Sequence, residues 1–408
     1  MWLRGHFAWE YKAPGRNLEA ALQQLMMYAL PLESRPLLVV SDRQRIEVHT
    51  HFTGTPSERH VSPFEAPQPD PRHVSLWFGT NRAPVPPDRR DPADPCSAFG
   101  DEWSETVSLG RVVVNVPLGH QPGSLGSGWL LRLVRDDDRL RPVALEALPA
   151  DAFWSGLGQA MAAPRAEGEP KDALFFLHGY NNSFRDAALC CALLAYDLRI
   201  GPAGFFSWAS KGGTEDYQAD ENVMDHLSGD QIAGFLQQLD ACALQAGAAL
   251  QAGAALQVVG HSMGNRGLLK ALALIAQAAP QRLAIDKIVF AAPDVDARAF
   301  TQTMKKILAS GAFGGRKTLY VSRRDKALWA SKLLHQHPRA GIAPPFTTVD
   351  GVDTIDATDV DSSFLGHGYI ASVRALIADL KSLFEAGRAP AGRTGLEAVP
   401  GQGVWRLK

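Results

Sequence analysis

The chain has 408 residues, 46% of them hydrophobic and 21% charged, with a formal net charge of −2. That length and apolar content mark a soluble globular chain able to bury one large core and a smaller second one. A near-neutral balance with no long basic or acidic block gives no electrostatic reason to expect nucleic acid or an anionic membrane as the main partner. From the amino terminus, MWLRGHFAWEYK meets Glu10 and Lys12 before a signal-peptide core could form. No later apolar run approaches bilayer length, so a cytoplasmic location without a membrane span is expected.

Residues 1–61 read as a strand (His6 to Lys12), a helix (about Asn17 to Leu30) and a strand pair in PLLVVSDRQRIEVHT (36–50), too little for a secure core alone. SPFEAPQPDPR (62–72) cannot be helix or central strand, because proline lacks the donor both need, so 62–73 is a linker. Four strands follow, VSLWFGT (74–80), RVVVNVPLG (111–119), WLLRLV (129–134) and PVALEAL (142–148), then a helix, DAFWSGLGQAMA (151–162). From ALFFLHG (173–179) onward short apolar runs alternate with amphipathic ones: GFFSWAS (204–210), a helix from about Asp220 to Ala246, LQVVG (256–260), a helix at 265–278, KIVFAAPD (287–294), KTLYVS (317–322), FTTVDGVDTID (346–356) and a last helix at 370–384. The alternation predicts an α/β architecture, a mostly parallel sheet with helices on both faces and antiparallel N-terminal edge strands, plus a small N-terminal α+β annex. The six-residue repeat in ALQAGAALQAGAALQ (243–257) holds no single helix face and reads as a loop extension. The Gly-rich polar stretch 209–220 is expected to be mobile at a pocket rim, and 387–408 to be a flexible tail. Cys96, Cys190, Cys191 and Cys242 lack metal-ligand spacing and read as buried thiols.

VVGHSMGNRG (258–267) places Ser262 between a buried strand and a helix. A serine must project from its scaffold and be deprotonated to attack a carbonyl carbon, and a sharp strand-to-helix turn framed by Gly260 and Gly264 makes the projection. The helix start also aims the Met263 amide at a developing oxyanion. The earlier FFLHGYNN ends a strand at His178 and Gly179, where the Tyr180 or Asn181 amide would be the second donor; Asn182 or Ser183 would cap the next helix. A base and an acid must follow in the order serine, acid, histidine. Three histidines come later: His335 and His337 in LLHQHPRAG, read as loop, and His367 in FLGHGYIAS, after the last strand and before the final helix, the favoured position. Asp325, after TLYVS, leads as the acid over Asp294, with Asp294 and Asp296 in PDVDARAF explicable as helix caps; Asp353 and Asp356 rank lower.

FGTNR (78–82), FLHGYNNSF (176–184), FSWAS with YQAD (217–220), GHSMGNR (260–266), APDVD (292–296), YVSRRDKAL (320–328), VDTIDA and GHGY (366–369) resemble, in order, a bacterial branch of the α/β hydrolases catalogued as a domain of unknown function. The resemblance spans about 74–386. It implies an α/β-hydrolase fold and a serine hydrolase with Ser262 as nucleophile, Asp325 as acid and His367 as base. It names no substrate, and the fold hosts esterases, lipases, thioesterases, amidases and non-catalytic relatives. The expectation is hydrolysis of a small acyl ester or thioester with no cofactor, no metal and no nucleic acid; the alternative is a non-catalytic binding or scaffold protein. Separately, residues 7–50 resemble part of the nuclease-like N-terminal region of fused restriction-modification DNA methyltransferases, matching Glu10 and Lys12 to its metal-site residues. No acidic residue precedes Glu10 to complete such a site, so a truncated, inactive remnant that packs poorly is expected, the alternative being a small strand-and-helix annex that helps cover the hydrolase.

Overall fold

The structure, a computed structural model, describes residues 2–3, 7–11, 18–29, 37–41, 45–50, 58–63, 70, 72–122, 140–163, 172–213, 216–250, 255–278, 282–360 and 373–408. The chain divides into two compact units, Met1–Asp70 and Pro71–Lys408.

In the first unit β1 (Trp2–Leu3), β2 (Phe7–Tyr11), α1 (Leu18–Ala29), β3 (Leu37–Ser41), β4 (Arg45–Thr50) and β5 (Glu58–Pro63) build one sheet in sequence order. β2 and β3 are parallel, with α1 as the connection between them. Leu18, Ala21 and Leu25, at helical spacing on α1, are buried with Ala8, Leu38 and Val40. These residues form the expected small α+β annex, a sheet with its own core, rather than a poorly packed remnant. β5 also takes up the first two residues of the expected linker.

The second unit follows the α/β alternation: β6 (His73–Pro84), β7 (Phe99–Asn115), β8 (Arg141–Ala147), α2 (Ala150–Ala162), β9 (Ala173–Leu177), α3 (Phe184–Leu198), β10 (Ala203–Ser207), α4 (Tyr217–Asn222), α5 (Gly229–Leu250), β11 (Leu256–His261), α6 (Gly264–Ala278), β12 (Ile285–Ala291), α7 (Ala297–Ala309), β13 (Lys317–Val321), α8 (Lys326–His335), β14 (Val352–Asp356), α9 (Arg374–Ala386), β15 (Leu396–Val399) and β16 (Val404–Leu407). A π-helical stretch, Val223–Ser228, joins α4 to α5. The sheet order is β15-β16-β14-β13-β12-β11-β9-β10-β6-β7-β8. β16 through β6 run parallel, and β7 and β8 form the antiparallel edge.

Strand period divides the interior in two. On β9, Leu174 and Phe176 face a core with α3 and α9, while Phe175 and Leu177 face one with α2, α5, α6 and α7. Both faces are covered, so β9 and β11 are buried at every position.

Four sequence expectations change. The tail 387–408 is part of the sheet: β16 lies parallel to β14, and Val404 and Leu407 are buried. An ion pair pins it further. Arg393, wholly buried, donates from Nε to Asp379 at 2.7 Å and from Nη2 to the Tyr320 hydroxyl at 2.9 Å, while that hydroxyl donates to Asp379 at 2.6 Å. The repeat begins inside a helix, since α5 runs to Leu250 before β11 starts at Leu256; alanine and leucine propensity prevails over its poor face period. LLHQHPRAG is helical as far as His335, because the buried Leu328 and Ser331 anchor α8 from within. The strand expected over 346–356 starts at Val352, for a turn intervenes before it. The strand read at 129–134 lies outside the described residues.

Candidate active site

The parallel strands all end on one side of the sheet, where α/β folds place their ligands. The loops after β9, β11, β12 and β13 carry the candidate residues.

Ser262 follows β11 with φ 51°, left-handed backbone that a non-glycine residue holds at a cost of about 1–3 kcal/mol. Its surroundings impose that conformation. Its N–H donates to the Ala291 carbonyl at 3.0 Å, and its own carbonyl accepts from the Asn265 and Asp294 amides at 3.1 and 3.2 Å. The Asn265 side chain donates to the Ser262 and Ala291 carbonyls at 3.2 and 3.1 Å. A Cβ on Gly260 would lie 2.7 Å from Leu268, and one on Gly264 would strike the His178 carbonyl. Both glycines are thus demanded by the turn, as the spacing predicted. The Met263 amide opens α6 and donates to no group among the described residues.

Gly179 presses against the serine: a Cβ there would sit 2.7 Å from Ser262 Cβ and 3.2 Å from its Oγ. The loop after β9 is therefore in contact with the candidate nucleophile. Tyr180 follows, its carbonyl accepting from Asn182 Nδ2 at 2.8 Å. His178, one residue earlier, is not a candidate base. Burial first, and the neighbouring Arg82 cation second, push its imidazole down to about 3, so it is neutral. The Gly179 carbonyl 2.7 Å from Nδ1 can only accept, which puts the proton on Nδ1. The ring stacks on Trp208 at 5.2 Å. Ser183 makes the expected capping box with Asp186 at the start of α3.

Two buried charges grip the loop that follows Gly179. Arg82 donates to the carbonyls of Asn182 (2.6 Å), Ser210 (2.9 Å) and Gly100 (3.1 Å) and to Ser207 Oγ (2.8 Å). Burial lowers its guanidinium only to about 10, so the cation persists at neutral pH. On the other side Asp220 accepts from Ser210 Oγ at 2.5 Å, the Lys211 amide at 2.7 Å and the Asn181 amide at 3.4 Å. Asn181 is itself left-handed, at φ 56°. Asn182 N–H reaches Ser210 Oγ at 3.3 Å, closing the network. Sequence reasoning named neither Arg82 nor Asp220 as a site residue, although both lie in quoted stretches, FGTNR and YQAD. The same bonds fasten Ser210, Lys211 and Asp220, so the ends of the stretch expected to be mobile are held in place.

The candidate acids have different surroundings. Asp294 is buried and accepts from the Tyr217 hydroxyl at 2.5 Å and Ser331 Oγ at 2.6 Å, with Arg339 Nε at 3.4 Å. Asp296 caps α7 through the Arg298 and Ala299 amides, as expected of a helix cap. Asp325 is fully buried in the loop after β13 and accepts from the Leu328 amide at 2.9 Å, capping α8. Asp353 pairs with Arg316, and Asp356 binds the Thr358 amide and Arg323. His335 is engaged elsewhere: Nε2 meets Glu221 at 2.7 Å and Nδ1 the Ser331 carbonyl at 2.8 Å. His337 is exposed. His367 lies outside the described residues. The structure thus sets Gly179 against Ser262, with Tyr180 and Met263 next to them in the chain, and sets Asp325 in the loop beyond β13, two strands along the sheet from β11.

A family model described as an alpha/beta hydrolase of unknown function (DUF900) matches residues 162–383, more than half of the chain. The chain belongs to this family. Its α/β-hydrolase fold agrees with the sheet order and the helices on both faces. No curated protein matches it. Among solved structures it is similar to an uncharacterised protein from Capnocytophaga ochracea, at 12% identity and TM-score 0.29, over 70% of this chain and 62% of that one. A puromycin-hydrolyzing peptidase from Mycobacterium tuberculosis is matched at 11% identity and TM-score 0.29, over 85% of this chain and 47% of that one. The chain therefore spans less than two thirds of either. The family match begins well after residue 50, and nothing supports the restriction-modification resemblance of residues 7–50.

The thiols are free; Cys96 and Cys191 are buried, Cys190 and Cys242 half-buried. Burial pushes the Cys96 and Cys190 thiols up to about 12, where they are poor nucleophiles. Among the described residues no cluster of His, Cys, Asp or Glu could hold a metal ion, and no helix is long and apolar enough to cross a membrane.

Proposed function

We propose that the protein is a serine hydrolase of carboxylic esters or thioesters. Ser262 Oγ attacks the acyl carbon while His367 takes its proton. The oxyanion is held by the Met263 and Tyr180 amides beside Gly179, and Asp325 orients the imidazole. The bond to the alcohol or thiol breaks as His367 returns the proton to it. Water, deprotonated by the same histidine, then releases the acid and restores the serine. The observation that carries this reading is the left-handed Ser262 backbone, wedged between β11 and α6 and touching Gly179. Strain of that kind persists only where the surroundings over-determine it.

The test is labelling with a fluorophosphonate probe, alongside turnover of short p-nitrophenyl esters. Ser262→Ala is expected to abolish labelling and lower turnover by about 10⁴-fold or more, with His367→Ala close behind. A well-folded wild-type protein that neither labels nor turns over ester would overturn the proposal in favour of a binding protein on the same fold.

A further inference from the structure

Helix α8 begins at the candidate acid and carries an inverted surface. Its inward side presents Leu328 and Ser331, both buried. Its outward side, at helical spacing, presents Lys326, Ala330, Leu333 and Leu334, all exposed. Leu333 is 77% and Leu334 55% exposed, and no other exposed large apolar residues of the second unit are adjacent in sequence among the described residues. An outward helix face is ordinarily polar, and a single exposed leucine needs no explanation. Two together beside the candidate site are a different matter.

Along the chain the exposed charge beside them is basic, Glu221 reaching the helix only at His335. Between residues 323 and 339 the basic residues are Arg323, Arg324, Lys326, Lys332 and Arg339, and the single acid, Asp325, is buried. Arg339 is also buried, which leaves four cations at the surface of a chain whose net charge is −2. Some are partly committed: Arg323 reaches Asp356 at 3.3 Å and Lys332 lies over the Trp329 ring at 4.2 Å. Long basic side chains flanking an apolar helix face are the arrangement that pairs with lipid phosphates while leucines enter the acyl boundary.

We propose that the outward face of α8 docks on an anionic phospholipid bilayer, with Leu333 and Leu334 inserted and Arg323, Arg324, Lys326 and Lys332 against the headgroups. Because Asp325 caps this helix, docking sets the rim of the candidate site against the membrane. That the site then acts on esters carried in the bilayer rests on the hydrolase reading; the docking itself does not.

The experiment is co-sedimentation of the full-length protein with vesicles of phosphatidylcholine alone and of phosphatidylcholine with phosphatidylglycerol. Retention is expected on the anionic vesicles at low salt, falling about tenfold or more in 0.5 M salt. Leu333→Ser with Leu334→Ser, and separately Lys332→Glu, should each lower it by a similar factor while leaving fluorophosphonate labelling in solution unchanged. No retention on either vesicle, or retention indifferent to these variants, overturns the proposal. So does a concentration-dependent dimer abolished by the leucine variants, which would assign the face to a second copy of the chain. Loss of labelling in the wild type would overturn the hydrolase reading and leave the vesicle result standing.

Discussion

The loops after β11 and β12 use the same backbone device for different ends. Each places a left-handed non-glycine residue just past its strand, Ser262 at φ 51° and Ala292 at φ 44°, and each leads into a helix. In the first the strained residue carries the hydroxyl. In the second it is a mute alanine, and the polar group two residues on, Asp294, is occupied by Tyr217, Ser331 and Arg339. Asp325, one strand further, shares Asp294's burial and caps α8 through the Leu328 amide. The difference teaches that proximity to a strand end selects too many acids. What distinguishes Asp294 is a set of named side-chain partners, Tyr217, Ser331 and Arg339, that already use its carboxylate.

The largest expected effect sharpens that contrast. Asp325→Asn should lower kcat for ester turnover by about 10⁴-fold with a small change in KM, by leaving the base in the wrong tautomer. Asp294→Asn should leave kcat within about tenfold and lower the thermal midpoint, because buried donors lose a carboxylate at about 1–3 kcal/mol. Equal losses of kcat in both would erase the distinction. A third buried acid, Asp379, extends it: Asp379→Asn strands the Arg393 cation and should cost about 3–5 kcal/mol in urea unfolding without touching chemistry. Arg82 tests the loop beside the serine. Arg82→Lys cannot reproduce the four-way donation, and about a 10²-fold drop in kcat and in the labelling rate is expected, with Ser262 still present. If labelling is unaffected, the Arg82 network serves stability alone.

The smallest effect concerns His178. Its folded imidazole titrates at about 3, below the unfolded value near 6.5, so the unfolded chain binds more protons between those limits. Stability from this group is complete above about pH 6.5 and declines as pH falls toward 3. His178→Gln should flatten that acid limb in urea titrations compared at pH 7 and pH 4.5. An unchanged slope would mean that the buried ring does not govern it.

Much of the architecture was legible because apolar runs and turn residues are local signals. The strand at 173–177, the turn at Ser262 and the helix at 265–278 need only their own residues and immediate neighbours to declare themselves. The repeat starting at Ala243 keeps no helix face, yet alanine and leucine propensity carries α5 through it to Leu250. The tail misled because its anchors, Asp379 and Tyr320, come from α9 and β13. Arg82 was passed over for the same reason. A buried arginine has no local signature when its partners are carbonyls 18, 100 and 128 residues away.

By itself the sequence determined the alternating α/β pattern and the serine turn, which follow from spacing along a few residues, and it carried the motifs that resemble the family. Only the tertiary structure decided which side chains hold Asp294, which cation braces the Gly179 loop, that the last 22 residues complete the sheet, and that α8 turns leucines outward. Those depend on partners distant in the chain, and burial and hydrogen bonding are properties of where side chains meet rather than of the order in which they are strung.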